Sequence, residues 1–306
     1  MSIRIGMGLF GWPFTRPEPQ ALWDYVDETE RLGLDSIWLT DRIVSPEFSM
    51  DPMVALSFIA ARTKKLKFGT SVLALPLRNP TVLAKEIATL DFLANGRALP
   101  AIGLGTEDER EYEACGVPKS ERGSRTDEMM EVMRRLWLED EVTHHGKHYT
   151  LNRVSVQPKP VQKPVPLWIG GRSEAALRRT GRIGDGWLVS QATPEEVRSG
   201  IERIKAIADE HGNNIEDDHY GVLFNYCIAD TREKAQRLAA DYMPFRRTDI
   251  APEALAALGA QDIINARIQE YVDAGATKFV LRSACPPDML MEQLRLLGES
   301  VVPAFH

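Results

Sequence analysis

Cysteine is scarce in this chain. Its 306 residues hold three, Cys115, Cys227 and Cys285, with no CxxC spacing. So sparse and odd a set excludes a disulfide framework and fits a reducing compartment. Long apolar runs are missing as well, and nothing approaches the ~18 consecutive apolar residues that a membrane helix requires. The opening MSIRIGMGLF carries neither a leader-type apolar core nor a small-residue cleavage site. The expectation is therefore no signal peptide, no membrane span and a cytoplasmic location. An excess of positive charge is the third absence. The net charge is −7, with Lys and Arg scattered among Asp and Glu, so the basic stripes that track a phosphodiester backbone are lacking and nucleic acid is excluded as a partner.

Several catalytic signatures are absent too. There is no GxSxG, hence no nucleophile elbow. His144, His145 and His148 crowd one segment, but neither cysteine nor HExxH accompanies them, and no metal site is expected. Cys115 has no base tied to it in sequence and reads as a buried or loop thiol. Met129, Met130 and Met133 have helical spacing and read as core or interface. Gly103 and Gly105 begin a GxGxxG pattern, yet Asp108 stands in the third glycine's place, which weakens a dinucleotide-fold reading.

What the chain does have is alternation. Hydrophobic residues make up 43% and charged residues 26%, ample for a large core. Eight short runs, apolar on both faces, read as parallel strands buried on both sides: 4–10, 36–41, 67–75, 98–105, 165–171, 186–191, 220–229 and 278–283. Helical patterns fall over 18–32, 80–93, 125–138, 174–183, 194–211, 231–242, 260–274 and 287–303. Strand–helix alternation on this scale predicts an α/β fold, a closed (β/α)8 TIM barrel, more than an open sheet. One domain is expected over 1–306. It carries an insertion after helix 4, with a hairpin over Glu141–Leu151 turning at His145-Gly146-Lys147, and a second insertion before strand 8, over Arg246–Leu258.

In such a barrel, function gathers at the C-terminal strand ends. The end of strand five is the most explicit, because Gly170-Gly171-Arg172-Ser173 opens directly into a helix. Glycines let backbone N–H groups approach an anion, the helix N-terminus adds positive potential, and Arg172 supplies further donors. The competing reading is a tight turn with Ser173 as a plain N-cap. Asp41 and Arg42 close strand two. They either position a reacting group or form salt bridges at the rim. Ser71 sits within a buried strand, so its hydroxyl needs a partner, and backbone is the ordinary one. The other strand-end candidates are Thr70 and Val72 on strand three, and Gly105, Thr106 and Glu107 after strand four.

At Gly69-Thr-Ser-Val-Leu-Ala-Leu-Pro-Leu-Arg-Asn-Pro80, Ala84-Lys85, Ala88-Thr-Leu-Asp91 and Asn95-Gly96-Arg97 the sequence resembles the bacterial luciferase-like monooxygenase family. The likeness continues through Gly103-Leu-Gly105, Glu111-Tyr-Glu113, Gly116-Val-Pro118, Pro166-Leu-Trp-Ile-Gly-Gly171 and Gly184-Asp-Gly-Trp187. It implies a TIM barrel binding FMN or the deazaflavin coenzyme F420, with the ring over the C-terminal mouth. A non-prolyl cis peptide would fall at Ser71–Val72, and the cofactor phosphate at Gly170–Ser173. Asp41 matches an acidic position that contacts the deazaflavin, with Thr70, Ser71, Val72, Gly105, Thr106 and Glu107 nearby.

Arg42 stands where sugar-phosphate and alcohol dehydrogenases of the F420 branch commonly carry His. Arginine keeps its proton near neutral pH and so makes a poor base but a good clamp. The implied function is F420- or FMN-dependent hydride transfer or monooxygenation of a small organic substrate. The alternatives are a two-component FMN monooxygenase served by a flavin reductase, and a catalytically silent flavin-binding homologue. The resemblance further implies a homodimer through helices near strands two and three. Substrate contacts are expected from Pro13–Pro17, Ile43–Met50 and Arg246–Leu258.

Overall fold

The computed structural model describes residues 2–243 and 247–305. Eleven strands are present among the described residues: β1 Arg4–Leu9, β2 Ser36–Leu39, β3 Lys67–Ala74, β4 Ala98–Gly103, β5 Val142–His145, β6 Thr150–Val154, β7 Trp168–Gly170, β8 Gly186–Ser190, β9 Tyr220–Ile228, β10 Ala256–Gly259 and β11 Lys278–Ser283. Eight of them close a parallel barrel in the order β1-β2-β3-β4-β7-β8-β9-β11, with β11 returning to β1. These are the eight runs read from the sequence. Burial on both faces is visible directly: all four residues of β2 and all nine of β9 are buried. Trp38, Ala101, Trp168, Leu188, Leu223 and Val280 pack together as one cluster, with Val72 and Leu99 against it.

The α-helices are α1 Pro19–Arg31, α2 Pro52–Arg62, α3 Pro80–Leu93, α4 Glu109–Ala114, α5 Arg122–Leu138, α6 Glu174–Ile183, α7 Pro194–His211, α8 Arg232–Ala239, α9 Gln261–Asp273 and α10 Leu290–Leu296. Proline opens α1, α2, α3 and α7, where its missing N–H costs nothing and its φ suits the first turn. Two helices add to the sequence reading. In α2, apolar residues occupy nearly every position, so no stripe marks it out; Asp51 caps it through the amides of Met53 and Val54. The other, α4, has only six residues. No helix among the described residues is long and apolar enough to cross a membrane.

Both insertions take the expected places. The first holds the β5–β6 hairpin, antiparallel, with His145 opposite Thr150. Glu128 of α5 pins it by accepting from the amides of His148 and Tyr149, with His144 Nε2 at 3.2 Å. The second, over 246–258, begins at a residue outside the described ones. It contains a strand the sequence reading did not anticipate, β10. Because β9 is longer than β8, its far end offers a free edge, and Ala256–Gly259 pair there with Asn225–Ile228. The expected last helix, 287–303, is segmented into 3-10, α, π and 3-10 turns.

Two charge sets fasten the barrel, one buried and one at the surface. At its N-terminal end Lys278 of β11, only 1% exposed, donates to Asp35, and its ammonium lies 5.6 Å from the Trp38 ring centroid. At the periphery, Glu28 joins Arg31 of its own helix and Arg295 of α10, each at 2.6 Å. Hydrogen bonds from those two guanidiniums hold the Glu28 carboxyl at about 2, below its ordinary 4.5. A depressed carboxyl contributes stability that is present above its unfolded pKa and lost as pH falls towards the folded one. Glu28→Gln should therefore lower the urea midpoint at neutral pH and flatten its fall between pH 4.5 and about 2. Parallel midpoint-versus-pH curves for the two proteins would refute this role.

Candidate functional site

The C-terminal mouth is built on an irregularity in β3. The Ser71–Val72 peptide is cis, at the position the family resemblance implied. Pairing with β4 shifts register between Ser71 and Leu73. Val72 then seats its side chain between two glycines. A Cβ on Gly103 would lie 2.5 Å from one Val72 methyl, and a Cβ on Gly170 would lie 2.5 Å from the other. Both glycines are therefore needed to admit this valine, which forms a floor above the barrel interior. Ser71 Oγ is buried and has no hydrogen-bond partner, so a hydroxyl is left for a bound group to satisfy.

From this floor a cavity of about 300 Å³ runs towards β7 and α6, lined by Ser71, Val72, Gly105, Gly170, Gly171 and Ser173 among others. Gly171 adopts φ +109°, which turns the chain into α6. Ser173 is the N-cap, its hydroxyl accepting from the Ala176 amide at 3.3 Å. The first-turn amides lack intrahelical partners and, with the helix dipole, make this end of the cavity electropositive. Two residues that the sequence reading overlooked complete this end. Thr126 of α5, 1% exposed, presents a hydroxyl with no partner, and Arg179 of α6 is held by Asp127 and the Gly123 carbonyl. Arg172, exposed, sits on the rim of the neighbouring cavity.

That second cavity, about 330 Å³, is lined by Asp41, Arg42, Ser71, Val72, Gly105, Thr106 and Arg172. It shares Ser71, Val72, Gly105 and Ser190 with the first, so the two form one trough. Asp41 and Arg42 do not pair with each other. Asp41 accepts from the Ala74 amide at 3.0 Å and from Arg78 Nη2 at 3.0 Å. Burial pushes its carboxyl above the ordinary aspartate range, against the pull of Arg78 and the Ala74 amide. Arg78 also reaches Asp51 at 2.8 Å, tying the mouth to the α2 cap. Arg42 lies 3.9 Å from Glu111, a fully buried carboxylate. Glu111 also accepts from the Ile43 amide and the Thr106 hydroxyl, and so joins the loops after β2 and β4.

Two of the expected residues face elsewhere. Thr70 is buried with its hydroxyl on the Ala101 carbonyl, 2.7 Å away, and does not line the trough. Glu107 is exposed and paired with Lys119 and Arg122.

A model of the luciferase-like monooxygenase family matches residues 5–302. The chain belongs to that family. Among its relatives, an F420-dependent glucose-6-phosphate dehydrogenase of Kineococcus radiotolerans is 30% identical over 298 residues, covering 87% of either chain. Among solved structures, monooxygenase RslO1 from Streptomyces bottropensis gives a TM-score of 0.85 at 20% identity, covering 99% of this chain and 100% of that one. An F420-dependent secondary alcohol dehydrogenase, in complex with an F420–acetone adduct, gives 0.82 at 22% identity over the full length of both chains. At those identities the two structures speak to the fold alone. For this luciferase-like chain, Arg78 and Glu111 lay inside the motifs that carried the resemblance. Their roles were invisible because Arg78 meets Asp41 across 37 residues and Glu111 meets Ile43 across 68.

Proposed function

We propose that this protein is an F420-dependent oxidoreductase acting on a small organic substrate, with FMN as the competing cofactor. The carrying observation is the trough itself. It leads from an anion cradle at Gly170–Ser173, past the Val72 floor, to Asp41 and Arg42, and two buried hydroxyls on its walls, those of Ser71 and Thr126, have no partner. A phosphate-bearing tricyclic cofactor fits those donors. The Kineococcus relative is named for F420, which supports the preference.

The bound cofactor would supply the hydride or oxygen chemistry. The protein's part is to bind and orient. Gly170, Gly171 and the α6 amides would hold the phosphate, with Thr126 and Arg179 beside it. Val72 would support the ring from below and Ser71 would donate to its edge. Asp41 is fixed by Arg78 and the Ala74 amide, so it offers a carboxyl at a set position. The Arg42 guanidinium offers a planar fork of donors and no acceptor, which makes it a poor general base. It would therefore clamp a substrate oxygen and stabilise negative charge there, rather than accept a proton.

Wider readings accompany this one. A single domain is supported by a barrel whose strands run from Arg4 to Ser283. A homodimer is supported by Val54, Phe58, Val82 and Leu93, all exposed on α2 and α3, with a groove of about 740 Å³ between these helices. A cytoplasmic setting is supported by the three free cysteines. The test is titration of the purified protein with F420 and with FMN separately, read by fluorescence quenching. Saturable binding of F420 in preference to FMN is expected. FMN alone would point to a monooxygenase served by a separate reductase, and binding of neither would overturn the proposal.

A further inference from the structure

A third cavity adjoins the trough on its β1–β11 side. It measures about 350 Å³ and is walled by Leu9, Trp12, Tyr242, Met243, Pro287 and Leu290. Phe10 and Arg282 line both this chamber and the Asp41 cavity. The Arg282 guanidinium lies 5.0 Å from the Phe10 ring centroid, so a stacked pair forms the partition between them.

The chamber walls are apolar in chemistry as well as in name. Trp12 packs against Phe14 at 5.0 Å and Phe48 at 4.8 Å, and its indole N–H donates to the Arg16 carbonyl at 2.6 Å. Its polar atom is thereby satisfied, and the aromatic wall is rigid. Cys285 is buried with Sγ 3.0 Å from Ser283 Oγ, and burial pushes its thiol up, so it is an uncharged lining group. Asp241 is an exposed member of the lining. A phosphorylated sugar needs cations and many hydroxyl partners. Among the described residues that line the chamber there is one acid, Asp241, and one cation, Arg282, which is stacked on Phe10.

We propose that this chamber receives the apolar ring of an uncharged substrate, whose hydroxyl or carbonyl reaches past Phe10 into the mouth beside Arg42. This substrate class rests on the F420/FMN reading given above. It separates the protein from relatives named for glucose 6-phosphate. The chamber's size, near the small end of the roughly 300–1,000 Å³ typical of ligand pockets, suits one or two fused rings.

The probe is 2-naphthol, titrated into the protein alone and with cofactor present, with cofactor affinity measured separately by quenching. Leu290→Trp fills the chamber. Tyr242→Ala, at a half-exposed position, removes a wall without threatening the fold. Expected is saturable 2-naphthol binding that Leu290→Trp weakens about tenfold or more and Tyr242→Ala weakens about threefold, while cofactor affinity stays within about twofold. Glucose 6-phosphate should not displace the probe. Unchanged probe binding in both variants would overturn the inference, as would displacement by glucose 6-phosphate or by the cofactor itself. Failure of both cofactors to bind would instead remove the oxidoreductase reading and leave the chamber's occupancy to be judged by the same two variants.

Discussion

Gly171→Val should weaken cofactor binding by roughly 10- to 100-fold, about 1.4–2.8 kcal/mol, while leaving the barrel folded. The reason is local. Gly171 holds φ +109°, and a Cβ there would come 3.2 Å from the Ala176 Cβ in the first turn of α6. A β-branched residue does not occupy that conformation, so the turn must rotate. Rotation redirects the amides of Gly171 and the residues after it, which are the donors assigned to the phosphate. Strain of this kind costs about 1–3 kcal/mol, tolerable against the ~5–15 kcal/mol stability of an ordinary domain. Quenching titrations with F420 or FMN read the affinity, and a urea melt reads the fold. Unchanged affinity in a folded variant would mean that the phosphate is held elsewhere.

Asp35→Ala should be strongly destabilising, lowering unfolding free energy by about 3–5 kcal/mol. It leaves the Lys278 ammonium buried with its carboxylate gone. Burial already pushes Lys278 well below the ordinary lysine range, and in the variant that push is less opposed. The folded state then binds fewer protons than the unfolded one between the depressed value and the ordinary lysine pKa of about 10.4, so the variant's stability should rise with pH across that window. Replacing both partners, Asp35→Leu with Lys278→Met, should recover much of the loss, because no unpaired charge remains. Urea midpoints at several pH values check all three statements. A loss below about 1 kcal/mol, or a double variant no better than the single, would contradict the account.

The eight barrel strands were legible because parallel strands buried on both faces must be largely apolar, and β2 and β9 are buried at every position and apolar at nearly all, Ser36 and Asn225 being the polar ones. The glycine turn into α6 at 170–173 was legible for a similar reason, since Gly-Gly followed by an N-cap serine is a local pattern with a local cause. What escaped was non-local or unpatterned. α2 exposes Val54 and Phe58 while burying Leu56 and Ile59, so no polar face outlines it. β10 is Ala-Ala-Leu-Gly, with little strand preference of its own, and it exists because β9 outruns β8. Thr126 and Arg179 reach the cradle from the bodies of α5 and α6, where single-sequence spacing gives no sign of them. Asp41 and Arg42, picked out as strand-end residues, line the trough, but their partners Arg78 and Glu111 arise only from tertiary proximity.

The seating of Val72 between Gly103 and Gly170 has a consequence for how this site can vary. Three positions on three strands share one small volume. A methyl added at either glycine must be matched by one removed at residue 72, so Gly170→Ala and Val72→Ala should each be damaging singly and mutually compensating together. Among natural relatives the three positions should therefore change as a set, and a change in floor shape would demand coordinated substitutions rather than a succession of independent ones.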